Sequence, residues 1–197
     1  MNTQIRTESP EFVVPERETV TVYRSSVAMG YVWGALRLLM GWTFLWAFLD
    51  KTFALGFATG RDPQTGIIDF FGPKAWIHEG SPTAGLAFFA KGPFASFYKD
   101  IAGATWLDWA FMLALLLIGL GLTTGVMTRI AAIGGAIWMV LFYSASAIWP
   151  DNNPFVDEHV VYLVVLIGIA IVGAGRYLGL GKYWERFEAV KKHPILT

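Results

Sequence analysis

Asp50, Lys51, Asp108, Asp157, Glu158 and His159 stand at the edges of long apolar stretches. Ionisable groups at the rim of a membrane span are expensive to place, so they are functional candidates by default. A histidine exchanges a proton near neutral pH. A neighbouring carboxylate orients the ring and raises its basicity. Asp157 and His159 therefore have the composition of a proton-handling pair. Trp42, Trp46 and Asp50 recur every four residues, which sets two indoles below a carboxylate on one helical stripe. Each acid also has a plainer role. Asp108, Asp157 and Glu158 at helix starts suit the macrodipole and cap backbone N–H groups. Asp50 and Lys51 suit an interfacial ion pair. No spacing motif joins Asp157, His159 and a third acid into a metal centre, so none is expected.

Four apolar stretches position these residues, at roughly 31–53, 104–127, 130–149 and 159–175. A helix needs about 20 such residues to cross a hydrocarbon core. The composition agrees: 55% hydrophobic, 15% charged and mean hydropathy +0.49 across 197 residues. A soluble domain carries about 25% charged residues. The expected fold is an all-α integral membrane bundle of four transmembrane helices. Net charge is zero, which gives no field to recruit nucleic acid. There are no cysteines, which excludes disulfides, thiol chemistry and cysteine-held iron–sulfur clusters.

Residues 1–27 carry Glu8, Glu11, Glu16 and Glu18 and no apolar run before Ala28, so they read as a polar arm rather than a signal peptide. The membrane domain spans 28–186, and 187–197 form a tail. Lys and Arg concentrate in the arm, at Arg129, and after the last span, whereas the segment from Pro150 to Glu158 has none. Both termini are predicted to be cytoplasmic. Asp50, Lys51, Asp108, Asp151, Asn152, Asn153, Asp157 and His159 then converge on the external face. The segment 56–103 is broken by Asp62-Pro63, Gly72-Pro73 and Gly92-Pro93 and studded with aromatics. It is predicted to form a lid of short interfacial helices between the first and second spans. Small residues predict close helix packing: Gly121 with Gly125, Ala131 with Gly135, and Gly168 and Gly173. Arg37 lies about 20 Å along the helix from Asp50. It is expected to snorkel to headgroups, with an anion anchor or an internal ion pair as the alternatives.

Several runs together resemble the DoxX/DoxD membrane family. They are Gly41-Trp42-Thr43-Phe44-Leu45-Trp46-Ala47-Phe48-Leu49-Asp50-Lys51, Ala75-Trp76-Ile77-His78-Glu79-Gly80-Ser81-Pro82-Thr83, Asp108-Trp109, Asp151-Asn152-Asn153-Pro154-Phe155-Val156-Asp157-Glu158-His159 and Gly173-Ala174-Gly175-Arg176. The resemblance covers most of residues 31–186. It implies a four-helix protein of the prokaryotic cytoplasmic membrane, similar to the membrane subunit of thiosulfate:quinone oxidoreductase. It also implies a second small partner subunit, and it adds Trp76 and His78 to the site positions.

The expected function is a quinone-linked oxidoreductase subunit, with thiosulfate as donor and quinone as substrate, and no covalently bound cofactor. Asp157, His159, Asp50 and Asp108 are the expected catalytic residues. Lys51, Trp42, Trp46, Trp76 and His78 are the expected substrate-binding ones. Lys74 and Lys91 would help Lys51 draw in the anion, and the quinone ring would enter between the first and fourth spans. Membrane lipid and either a protein partner or further copies of the chain are the expected neighbours. The alternative is a non-catalytic scaffolding subunit of a respiratory complex. A transporter is a weaker third reading, because the third span carries no charge.

Overall fold

The computed structural model describes residues 16–148, 150 and 153–197. The start of the arm, Asp151 and Asn152 lie outside the described residues. Among the described residues the chain is helical, apart from loops and one isolated bridge between Arg61 and Ile68. Helix α1 runs Glu16–Phe53, so it begins inside the segment expected to be a separate arm. Adding a residue to an existing helix gains one hydrogen bond per residue fixed, so a helix nucleated in the apolar run extends readily. The lid follows. It contains a 3-10 turn at Trp76–His78 and two short helices, α2 (Leu86–Phe89) and α3 (Ala95–Ile101).

Helix α4 (Thr105–Thr124) ends at Gly125, whose φ of 81° turns the chain sharply back. Helix α5 (Thr128–Phe142) follows and loosens into a π-helix at Tyr143–Ala147. Helix α6 (Glu158–Val172) starts on Asp157 and stops at Gly173. Two further short helices, α7 (Gly181–Trp184) and α8 (Glu188–Lys192), lead to a last turn that packs on the start of α5. There the Arg129 N–H donates to the Thr197 oxygen at 2.8 Å.

Three stretches are long and apolar enough to cross a membrane: Ser26–Phe53, Thr105–Thr124 and Thr128–Ser146. Helix α6 is apolar but has only 15 residues, about 22 Å, against the roughly 30 Å of a hydrocarbon core.

The four long helices close on one another. Helix α1 packs on α4, α4 on α5, α5 on α6, and α6 back on α1. Phe44, Met112, Leu115, Leu122, Leu166 and Ile169 fill the centre. Lipid is as apolar as leucine, so close backbone approach does much of the holding. A Cβ on Gly119 would stand 2.8 Å from the Leu45 nitrogen, and one on Gly41 would stand 2.6 Å from the Thr123 nitrogen. These two glycines make the α1–α4 contact, and pattern reading did not single them out. Of the glycines it did single out, Gly121 faces Ala131, Gly135 faces Leu166 and Phe44, and Gly168 receives the Trp33 ring. Gly173 has open space around it and serves as a helix cap.

The α1–α4 contact yields a paired prediction. Gly119→Ala forces backbone apart and lowers stability by about 1–3 kcal/mol. Gly134→Ala, whose new Cβ would sit 3.6 Å from the Ile118 side chain, costs nothing measurable. Equilibrium unfolding in mixed detergent micelles reads both.

Candidate functional site

The first turn of α6 builds the Asp157–His159 pair. Asp157 Oδ1 accepts the N–H groups of His159 and Val160 at 3.1 and 3.2 Å, which caps the helix. That cap fixes the carboxylate so that Oδ2 lies 2.6 Å from His159 Nδ1. A carboxylate oxygen accepts, so an ionised Asp157 pairs with a protonated Nδ1 and leaves Nε2 outside this contact. The side chains of His159 and Asp157 are 21% and 10% exposed, so the pair is partly open. Glu158 is exposed beside it, and donor atoms of the three residues lie within 4.8 Å of one another. Both Asp157 oxygens hold hydrogen bonds, one to the backbone of the first turn and one to the imidazole, so the carboxylate caps the helix and orients the ring together.

The imidazole packs on the Phe142 ring, with centroids 5.7 Å apart. Phe142 meets Phe111 edge-on at 5.9 Å, and Trp138 touches both. The Lys51 ammonium lies 5.9 Å from the Phe111 centroid, within reach of a cation–π contact. A run of rings therefore joins Lys51 on α1 to His159 on α6 across α4 and α5. Sequence reasoning found both ends of this run. It missed Phe111 and Phe142, because an aromatic in an apolar helix carries no signal of which face it takes.

The other two acids are enclosed. Asp50 is 1% exposed, and its two oxygens accept the N–H groups of Phe57 and Ala58, each at 3.0 Å. It ties the first turn of the lid to the end of α1. Asp108 Oδ1 accepts the Ser81 hydroxyl at 2.9 Å, the Thr83 N–H at 3.1 Å and the Thr83 hydroxyl at 2.5 Å. It ties the middle of the lid to the start of α4. Asp50 and Lys51 form no hydrogen-bonded ion pair among the described residues. The lid is also held by the last turn of α5 and the π-helix that follows it, where the regular helical ladder changes. The Lys91 N–H donates to the Ala145 carbonyl at 2.9 Å, and the Tyr98 hydroxyl donates to the Leu141 carbonyl at 3.3 Å.

Among the described residues the expected substrate-binding aromatics pair with other rings, whereas the His159 ring pairs with Phe142. Trp42 and Trp46 stack on each other at 5.6 Å, and Phe57 meets Trp46 edge-on at 5.0 Å. Trp42 is about half exposed on the outer face of α1. Trp76 meets Trp109 edge-on at 4.9 Å. His78 is exposed, with Nδ1 3.4 Å from the Gly72 carbonyl. Lys74 and Lys91 lie on the exposed surface of the lid.

Arg37, at the opposite end of the bundle, corrects the expectation of snorkelling. It is fully buried. One terminal nitrogen, Nη1, donates to the Leu122 carbonyl and to that of Thr123 at 3.1 Å. The other donates to the carbonyls of Tyr177 at 3.1 Å and Leu178 at 2.9 Å. These include the unpaired carbonyls that end α4, which a helix terminus must satisfy somehow. Glycines let the strands of chain crowd around the guanidinium. A Cβ on Gly179 would meet Arg37 Nη2 at 2.8 Å. The glycine-rich run 173–181 was the available signal. On the surface nearby, Arg176 Nε donates to both Glu185 oxygens, which raises the Arg176 pKa above its ordinary value.

No protein-family model, curated protein or solved structure matches the chain.

Two outcomes follow from this geometry. Arg37→Leu leaves the carbonyls of two chain segments unsatisfied and costs about 3 kcal/mol or more. Arg37→Lys recovers only part, since an ammonium lacks the guanidinium fork. Detergent unfolding measures both. Asp108→Ala releases the turn at Ser81–Thr83, so limited proteolysis within residues 81–103 accelerates, whereas Asp157→Asn leaves that cleavage rate unchanged.

Proposed function

We propose that the chain is the membrane subunit of a quinone-linked oxidoreductase of DoxX/DoxD type, with α6 as a fourth crossing and both termini cytoplasmic. The Asp157–His159 pair exchanges protons with the quinone headgroup at the external face. The observation that carries the reading is the 2.6 Å contact in a partly open pair, seated on an aromatic cluster at the edge of an apolar bundle. A proton-bearing Nδ1 held by a carboxylate leaves Nε2 to take up or deliver a proton. With thiosulfate as donor, two dianions join through a new S–S bond to give tetrathionate and release two electrons. Quinone takes those electrons and two protons to become quinol. Lys51, Lys74 and Lys91 raise the local concentration of the anion. The electrons pass directly or through a partner subunit's cofactor. In this reading Asp50 and Asp108 are positioning residues, since backbone and hydroxyl donors occupy their carboxylates.

That occupation also favours a second reading, a non-catalytic scaffold. Its docking surface would be the lid, where Phe88 and Phe89 are 83% and 69% exposed.

The test uses the complex purified from membranes. Thiosulfate-dependent reduction of a water-soluble quinone analogue is followed by absorbance. His159→Ala is expected to lower kcat by about 100-fold or more with subunit composition unchanged. Full activity in His159→Ala and Asp157→Asn complexes selects the scaffold. Absence of turnover in the wild-type complex removes the enzymatic reading.

A further inference from the structure

An apolar groove of about 660 Å³ opens between α5 and α6, well inside the size range of ligand pockets. Its floor is made shallow-sided by Ala132, Ala136 and Ala170, and its rims are isoleucines, with Ile137 57% and Ile171 74% exposed. Along α5 it runs from Arg129 to Val140, about 16 Å at the helical rise. That is half of a roughly 30 Å hydrocarbon core, the depth of one leaflet. Arg129 is the one charged residue lining the groove, and it stands at the membrane-edge end.

The Arg129 guanidinium is held in place from the protein side. Nε donates to the Ala170 carbonyl at 3.2 Å and Nη1 to the Pro194 carbonyl at 3.0 Å. Its other three N–H groups have no partner among the described residues. A fixed cation with donors to spare thus caps a one-leaflet apolar trough.

We propose that this groove binds one anionic phospholipid, with an acyl chain between α5 and α6 and the phosphate on Arg129. Basic sites between transmembrane helices at a membrane face hold such headgroups. The other occupants fit less well. A prenylquinone has a neutral head, which gains little from a fixed cation. A second copy laid on this face would have to bury Arg129, and neither α5 nor the part of α6 that lines the groove offers an acid to meet it. The inference needs only that these helices lie in a bilayer, and it does not depend on the proposed chemistry.

The experiment is native mass spectrometry of the full chain in mild detergent. The added probes are phosphatidylglycerol, phosphatidylcholine with the same acyl chains, and ubiquinone. The wild type is expected to retain one phosphatidylglycerol, favoured over phosphatidylcholine by about fivefold, which is the effect of one basic side chain near an anionic headgroup. Arg129→Gln abolishes the preference and Arg129→Lys keeps most of it. Ala136→Phe fills the trough and loses both phospholipids while helical circular dichroism is unchanged. If Arg129→Gln fails to fold, the lysine and phenylalanine variants decide. The proposal is overturned by equal retention of the two phospholipids in the wild type. It is also overturned by a preference that survives in Arg129→Gln, by lipid retention undiminished in Ala136→Phe, by selective retention of ubiquinone, or by a dimer that Ala136→Phe dissociates.

Discussion

Hydrocarbon offers a polar group nothing to bond to, so the buried polar groups of this bundle turn to the chain for partners, and among the described residues the Arg37 Nε and the Thr123 and Thr128 hydroxyls are buried without one. Arg37 shows the constraint at its most severe. Its guanidinium is sealed from solvent, and its two terminal nitrogens donate to carbonyls of two segments far apart in sequence. The same contacts satisfy the end of α4 and pin the chain after α6 against it. One end of the bundle is therefore closed by a cation surrounded by carbonyl dipoles, within a cradle that only glycines leave wide enough.

The opposite end solves the same problem with carboxylates. Asp50 and Asp108 gather the loose N–H and hydroxyl groups of the lid, and the end of α5 and its π-helix each supply a carbonyl to the lid in return. Burial of these two acids is then a consequence of architecture. Asp157 differs. One of its oxygens caps a helix, and the other faces an imidazole with some access to its surroundings. The proposed chemistry is assigned to the carboxylate that architecture leaves partly open.

Much of the fold was legible because spans announce themselves by length and apolarity. Segments 104–127 and 130–149 emerge as α4 and as α5 with its π-helix, within a few residues at each end. The fourth stretch is the helix α6, though its 15 residues fall short of the length criterion for a crossing. The early start of α1 was hidden, because a polar sequence that continues an existing helix looks like an arm. Within the site, Asp157 and His159 were legible as neighbours, since two residues of spacing at a helix start almost fixes their relation. The partners of Asp50 and Asp108 were not, because they lie in a lid whose path depends on tertiary contacts. Arg37 was misread for a related reason. Depth along a helix can be counted from the sequence, but the direction a side chain takes at that depth depends on its neighbours.

The central claim is that the Asp157–His159 pair, and not the Trp42–Trp46 pair of α1, meets the quinone. Photoaffinity labelling with an azidoquinone, mapped by peptide mass spectrometry on the intact complex, tests it most directly. The account predicts label on the peptides that carry Phe142 and His159, displaced by excess unlabelled quinone. Displaceable label confined to the peptide carrying Trp42 and Trp46 would contradict it.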